Sequence, residues 1–145
     1  MMRTFTYPIQ VYPHHTDYAG VVWHGAYVNW MEEVRVAFLD SQGISYQRVT
    51  EEGCDLMVVE LNLRYHRAAK MGDALLWHAT IHPIQGLRGL WDYELRSLDQ
   101  SLLYVSAQVT IVPVNRITGK LLRRWPPELA LILCDPSTLR QIPAP

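Results

Sequence analysis

Between His24 and Asp40 the apolar residues fall three and four apart, at Tyr27, Trp30, Met31, Val34, Ala37 and Phe38, so they line one face of a helix. Asn29, Glu32, Glu33, Arg35 and Asp40 fall mostly on the other side. No other segment has comparable helical strength, so the fold must be organised around this one helix. Gly25 is permissive near its start, and Gly43 follows the last apolar turn, where a left-handed residue commonly ends a helix. The start leaves backbone N–H groups without intrahelical partners. Those donors, with the positive end of the helix dipole, favour an anion or an oxygen that becomes one during a reaction. Asp17 lies just upstream in the turn-rich run from Pro13 to Gly20, from which the chain can fold it back toward that end.

Elsewhere the apolar period is two. Phe5, Tyr7, Ile9 and Val11 alternate with Thr6, Pro8 and Gln10, as in a half-buried strand, and Pro8, which has no N–H for a ladder, puts that strand at a sheet edge. From Leu56 onward Val59, Leu61, Leu63 and Tyr65 oppose Glu60, Asn62, Arg64 and His66. Leu75, Trp77, Ala79 and Ile81 oppose His78, Thr80 and His82; Trp91, Tyr93 and Leu95 oppose Asp92, Glu94 and Arg96. A last run has Val105, Ala107, Val109 and Ile111 opposing Ser106, Gln108 and Thr110. Short connections imply antiparallel pairing. Ser45–Glu52 suits one or two helical turns ended by Gly53, and Pro126-Pro127 opens a short helix, Glu128–Leu133. The tail from about 136 is expected to be loosely held. One long helix and five strands describe an α+β architecture in which a curved antiparallel sheet packs around the helix, in a single domain spanning 1–145.

The totals exclude several function classes. With 13 basic and 14 acidic residues and no long basic run, the chain has no electrostatic footprint for nucleic acid. No stretch approaches the ~20 apolar residues of a membrane span, and the N-terminus lacks a signal-peptide core, so the cytoplasm is the expected compartment. Cys54 and Cys134 form no C-x-x-C pair and suit buried free thiols. There is no G-x-S-x-G elbow, no G-x-x-x-x-G-K-[ST] phosphate loop and no G-x-G-x-x-G fingerprint. His14, His15, Asp17 and His24 match no metal-ligand spacing, so no metal is expected.

Asp17 has two readings. As a turn residue followed by Tyr-Ala-Gly it needs no chemical role, since Asp readily bonds nearby backbone; as a catalytic carboxylate it attacks, or deprotonates water beside, an electrophile held at the helix start. Trp23, Tyr27 and Trp30 are likewise either core or pocket, and Glu32 and Glu33 are a solvated face unless one turns inward.

The combination changes these odds. The run Asp17-Tyr-Ala-Gly20-Val-Val-Trp-His24-Gly-Ala-Tyr27-Val-Asn-Trp-Met-Glu32-Glu33-Val-Arg35 resembles the signature of the 4-hydroxybenzoyl-CoA thioesterase-like branch of the hotdog-fold superfamily. The likeness continues through Tyr65-His-Arg-Ala-Ala-Lys-Met-Gly72-Asp73 and into the Pro126 region. It implies a central helix wrapped by a five-stranded antiparallel sheet, and hydrolysis of acyl-CoA thioesters without a bound cofactor. It implies Asp17 as nucleophile or general base, with the backbone N–H of His24 polarising the thioester carbonyl and that of Gly25 assisting. A preorganised donor of this kind is worth ~3 kcal/mol in the transition state. Trp23, Tyr27, Val59 and Glu60 are the candidate substrate-binding residues. For the CoA phosphates only Arg88 stands in the loop where relatives carry basic and Ser residues, with Arg123 and Arg124 as alternatives, and an acyl carrier protein is the rival donor. The resemblance further implies a homo-oligomer, a dimer at minimum with a tetramer expected, and sites built from both subunits. The rival class is a non-catalytic acyl-binding or CoA-binding module of the same fold, which would gain nothing from a carboxylate beside an electrophilic carbonyl. Whether the acyl group is aromatic or aliphatic stays open.

Overall fold

A computed structural model describes residues 3–134; the tail from about 136 lies outside the described residues. Five strands, β1 (Arg3–Gln10), β2 (Cys54–Tyr65), β3 (Ala74–Ile81), β4 (Gly89–Ser97) and β5 (Leu103–Asn115), form one sheet in the order β1-β3-β4-β5-β2. All neighbours pair antiparallel. Strands β1 and β2 follow one another in sequence yet occupy opposite edges, so the chain between them must cross the sheet. It does so as helix α1 (His24–Ser41), followed by the short α2 (Tyr46–Glu51); α3 (Pro127–Cys134) closes the described chain.

The period-two and period-3.6 stripes meet in one core. Helix α1 buries Ala26, Tyr27, Trp30, Met31, Val34, Phe38 and Leu39 against Leu75, Trp77 and Ala79 of β3, Trp91, Tyr93 and Leu95 of β4, and Val105, Val109 and Ile111 of β5. Each large apolar side chain among these, taken from water to full burial, contributes about 1.5–3 kcal/mol. Direction is added by ring packing of Phe38 on Trp91, 5.3 Å between centroids at 83°, and by the Tyr93 hydroxyl, which donates to Met31 O at 3.1 Å. Arg35 in turn donates to the Tyr93 hydroxyl at 3.2 Å. Burial pushes the Tyr93 phenol up to about 12, so it remains a donor at any ordinary pH. The helix ends as its sequence requires: Gly43 adopts φ +86°, and the following Ile44 N–H returns to Leu39 O at 3.0 Å.

Pro8 stands in the edge strand β1, opposite Leu76. Strand β2 departs from the simple alternation. A bulge between Val58 and Glu60 sets Val58 opposite Ile111 and Leu61 opposite Val109, so Val58, not Val59, shares the helix-facing side with Leu61, Leu63 and Tyr65. Strand β5 is buried on both faces from Val109 to Val114, because the chain beyond it folds back: Leu122 N–H donates to Pro113 O at 3.0 Å and Leu121 bridges Val114.

Candidate active site at the start of helix α1

The Asp17 turn is a small closed hairpin. Thr16 bridges Val22, Asp17 N–H donates to Val21 O at 2.8 Å, and Gly20 N–H donates back to Asp17 O at 3.0 Å. Asp17 Oδ1 accepts from Ala19 N–H at 2.8 Å, the local bond of an Asx turn, while the side chain stays exposed. Two further bonds fix where this hairpin sits. Trp23 N–H donates to His15 O at 3.1 Å, joining the residue before the helix to the segment before Asp17, and Val22 N–H donates to Ala69 O at 2.9 Å. The hairpin that carries Asp17 is thereby tied to the residue that precedes α1.

That first turn is open. Its N-cap, Trp23, supplies no side-chain hydrogen bond, and no acidic residue stands in the first turn. Ala26 N–H bonds Trp23 O at 3.0 Å, while the N–H groups of His24 and Gly25 find no acceptor among the described residues. The usual capping residues would occupy those donors; a Trp cannot. A carbonyl oxygen arriving here meets two free N–H groups at the positive end of an 18-residue helix.

A cavity lies on each side of this opening. One, about 290 Å³, is lined by Val22, His24, Tyr27, Tyr65, His66 and Arg67. The other, about 300 Å³, is lined by His14, His15, Trp23, Asn29, Trp30 and Glu33. In the second, the His15 ring packs 4.5 Å from Trp30 and its Nδ1 accepts from Tyr12 N–H at 2.9 Å. Burial, reinforced by the neighbouring His14, lowers the His15 pKa, although Glu33 opposes the shift. Tyr27 is buried; burial raises its pKa and its hydroxyl accepts from Ala69 N–H at 3.5 Å. Trp23 is 41 % exposed and forms a rim, unlike Trp30, Trp77 and Trp91, which are core.

Trp23, His24, Gly25 and Tyr27 thus stand at the helix start, and Asp17 stands in the hairpin joined to it through the His15–Trp23 bond. The structure leaves the other sequence candidates elsewhere in the chain. Val59 is the exposed bulge residue, and Glu60 pairs with Arg88 at 3.2 Å. Arg88 precedes Gly89, whose cross-strand neighbours are Ile111 and then Val58, whereas the helix start meets Tyr65 at the other end of β2. Seven strand residues of ~3.3 Å separate those ends, roughly 20 Å within one chain. Arg123 and Arg124 are exposed and follow Leu122, which bonds Pro113, also at the far end. Tyr65, His66 and Arg67, at the near end, carry no spacing signal of their own; only their place at the exit of the second alternating strand could have drawn attention to them.

Among the described residues, no group of three or more His, Cys, Asp or Glu is arranged to hold a metal ion, and no helix is long and apolar enough to cross a membrane. Residues 19–104, which include the helix start, the whole of α1, strands β2 to β4 and the first two residues of β5, match the thioesterase superfamily. The chain belongs to that family. A relative from Synechocystis sp., sll0410, whose name gives it only as an esterase, is 41% identical over 125 residues, covering 86% of this chain and 75% of its own. The acyl-CoA thioesterase YbgC of Haemophilus influenzae is 30% identical over 112 residues, 77% of this chain and 81% of the relative. The crystal structure of Slr0204, a 1,4-dihydroxy-2-naphthoyl-CoA thioesterase from Synechocystis, superposes with TM-score 0.83 at 30% identity, covering 92% of this chain and 97% of that one. The sheet wrapped on α1 is the hotdog fold of the thioesterase superfamily, and this member is a thioester hydrolase.

Proposed function

We propose that this thioesterase hydrolyses acyl-CoA, with Asp17 as nucleophile or general base and the His24 N–H, assisted by that of Gly25, polarising the carbonyl. The supporting observation is the uncapped first turn of α1, whose two donors lack acceptors among the described residues, with the hairpin of the exposed Asp17 tied to the residue before it. In the reaction, oxygen from water or from Asp17 adds to the carbonyl carbon, and negative charge develops on the carbonyl oxygen where the N–H groups point. Collapse breaks the C–S bond and releases CoA thiolate, which takes up a proton; with Asp17 as nucleophile, water then hydrolyses the acyl-enzyme anhydride.

For the phosphates of CoA, Arg67 joins the arginines suggested by the sequence as a candidate partner. Arg67, with His66 beside it, lines the cavity next to His24, and no carboxylate pairs with Arg67 among the described residues. Arg88 remains a candidate if it comes from a second copy. Strand β2 is a 12-residue edge with Met57, Val58, Val59, Leu61 and Tyr65 exposed. Antiparallel self-pairing of that edge about a two-fold axis carries the partner's Val58 end toward this chain's Tyr65 end. A dimer of this kind, associating further into a tetramer in the cytoplasm, is the working assembly.

Release of free thiol from a panel of benzoyl-, naphthoyl- and linear acyl-CoAs tests the reading. Steady turnover on one or more thioesters is expected. Tight acyl-CoA binding without turnover would make the protein a binding module, and turnover only of acyl-phosphopantetheine carried on a protein would make an acyl carrier protein the donor.

A further inference from the structure

The hydroxyl of Tyr65 donates to His24 O at 3.0 Å, linking the last residue of β2 to the first residue of α1. This bond is not required by burial. Tyr65 is 53% exposed, so water would serve its hydroxyl, and His24 O already lies where the helix itself supplies an N–H. What the bond does follows from peptide geometry. The carbonyl of His24 and the N–H of Gly25 belong to one planar trans unit, with C=O and N–H pointing in opposite directions. Fixing the carbonyl from the β2 side therefore fixes the direction of the Gly25 N–H on the other side. A hydrogen bond accepted by the carbonyl also polarises the unit and makes its N–H the stronger donor.

The need for an outside hold comes from the helix start itself. Capping side chains and first-turn carboxylates steady a helix end by occupying its donors, and α1 has neither. Left alone, such an end frays. A hold through the carbonyl steadies the turn and leaves the N–H groups open. Tyr65 is itself braced: its ring packs 5.4 Å from that of Tyr27, and the next two residues, His66 and Arg67, both donate N–H to Tyr104 O, at 2.8 and 3.2 Å.

We propose that Tyr65 is a positioning residue for hydrolysis, aiming and polarising the Gly25 N–H through the His24 carbonyl; this rests on the reading of the helix start as the carbonyl-binding site. The test is Tyr65→Phe, which keeps the ring on Tyr27 and removes only the hydroxyl. Its kcat on the best acyl-CoA of the panel should fall about tenfold with KM within twofold, roughly 1.4 kcal/mol of transition-state stabilisation. In the amide spectrum of the ligand-free protein, the Gly25 resonance should move and exchange faster with solvent, while amides in the middle of α1 keep their positions. Unchanged kcat overturns the proposal, as does a loss confined to KM, which would make Tyr65 a binding contact. If the wild-type protein turns over no acyl-CoA, the proposed function fails on its own; an unmoved Gly25 resonance would then overturn the positioning role independently.

Discussion

The indole of Trp23 lies over Gly25 so closely that a β-carbon at position 25 would fall 2.0 Å from Trp23 Cζ3 and 2.2 Å from Cη2. Backbone conformation does not demand glycine here, since Gly25 is absent from the positive-φ residues. The neighbour demands it. Alanine in a helix is ordinarily favoured over glycine by about 1 kcal/mol. Gly25→Ala should therefore fold normally while driving the Trp23 ring off the rim of its cavity. The expected result is a melting temperature within a few degrees of wild type and kcat/KM lower by about tenfold. Calorimetry and steady-state kinetics on the same preparation check it; wild-type kinetics would mean that the ring position is irrelevant to turnover.

Asp17→Asn retains an Oδ1 able to accept the Ala19 N–H, now bonded at 2.8 Å, so the hairpin should survive. The substitution removes the charge and the nucleophile. Turnover should drop by at least ~100-fold with assembly and acyl-CoA binding intact, in keeping with loss of an acid–base group. His24→Ala should cost much less, because the backbone donor remains. The reverse ranking in correctly folded variants would reassign the chemistry.

The proposed phosphate role of Arg67 is tested by comparing substrates with and without the nucleotide. Arg67→Gln should raise KM for an acyl-CoA about fivefold, near 1 kcal/mol for one exposed charge contact. It should leave KM unchanged for the same acyl group on N-acetylcysteamine, which carries no phosphate. Equal effects on both substrates would place Arg67 against the acyl or thioester end.

Edge pairing through β2 is open to a hydrodynamic test. Sedimentation should give at least twice the 16.8 kDa chain mass at micromolar concentration. Val59→Asp, a charge placed at the exposed bulge of that edge, should shift the protein toward monomer and reduce activity with it. Retention of both assembly and activity in that variant would mean that another surface joins the copies.

Acid sensitivity should come in part from two histidines held neutral. Burial lowers the His78 pKa, with Arg96 adding to the effect and Glu94 opposing it, and His78 Nε2 has no hydrogen-bond partner among the described residues. His15 is lowered in the same sense, by burial and then by His14. Above the ordinary value of 6.5 neither state binds the proton, and stability is at its full level. As pH falls below that value the unfolded chain protonates first, so stability is lost until the folded-state pKa is passed. Melting temperature should decline below about pH 6.5, and His78→Gln should flatten the decline. An identical slope in the variant would assign the acid response to other groups.

The amphipathic stripe and the period-two runs made the helix, the five strands and the wrapped architecture legible in advance, because each reflects burial on one face. Pro8 marked its edge strand for an equally local reason, the missing donor. The bulge left no such trace. Val58, Val59 and Leu61 are all apolar, so either register satisfies the pattern, and pairing with β5 decided which side chain faces the helix. The candidate site divided along the same line. Asp17, His24 and Gly25 are close in sequence, whereas Tyr65 reaches the helix start across 41 residues, and Arg88, promising by its loop position, stands at the other end of the sheet. Contacts set by tertiary pairing have no period to reveal them.

The two margins of the sheet are unequal. Strand β1 offers eight residues interrupted by an imino acid, and β2 offers twelve with none. A second copy can extend the sheet at β2, but the compound sheet then ends in β1 at both of its outer limits, where strand addition has a poor template. Association by this route would be self-terminating: it would yield closed pairs in place of open-ended ribbons, because the proline that marks the first strand denies each outer limit a full ladder.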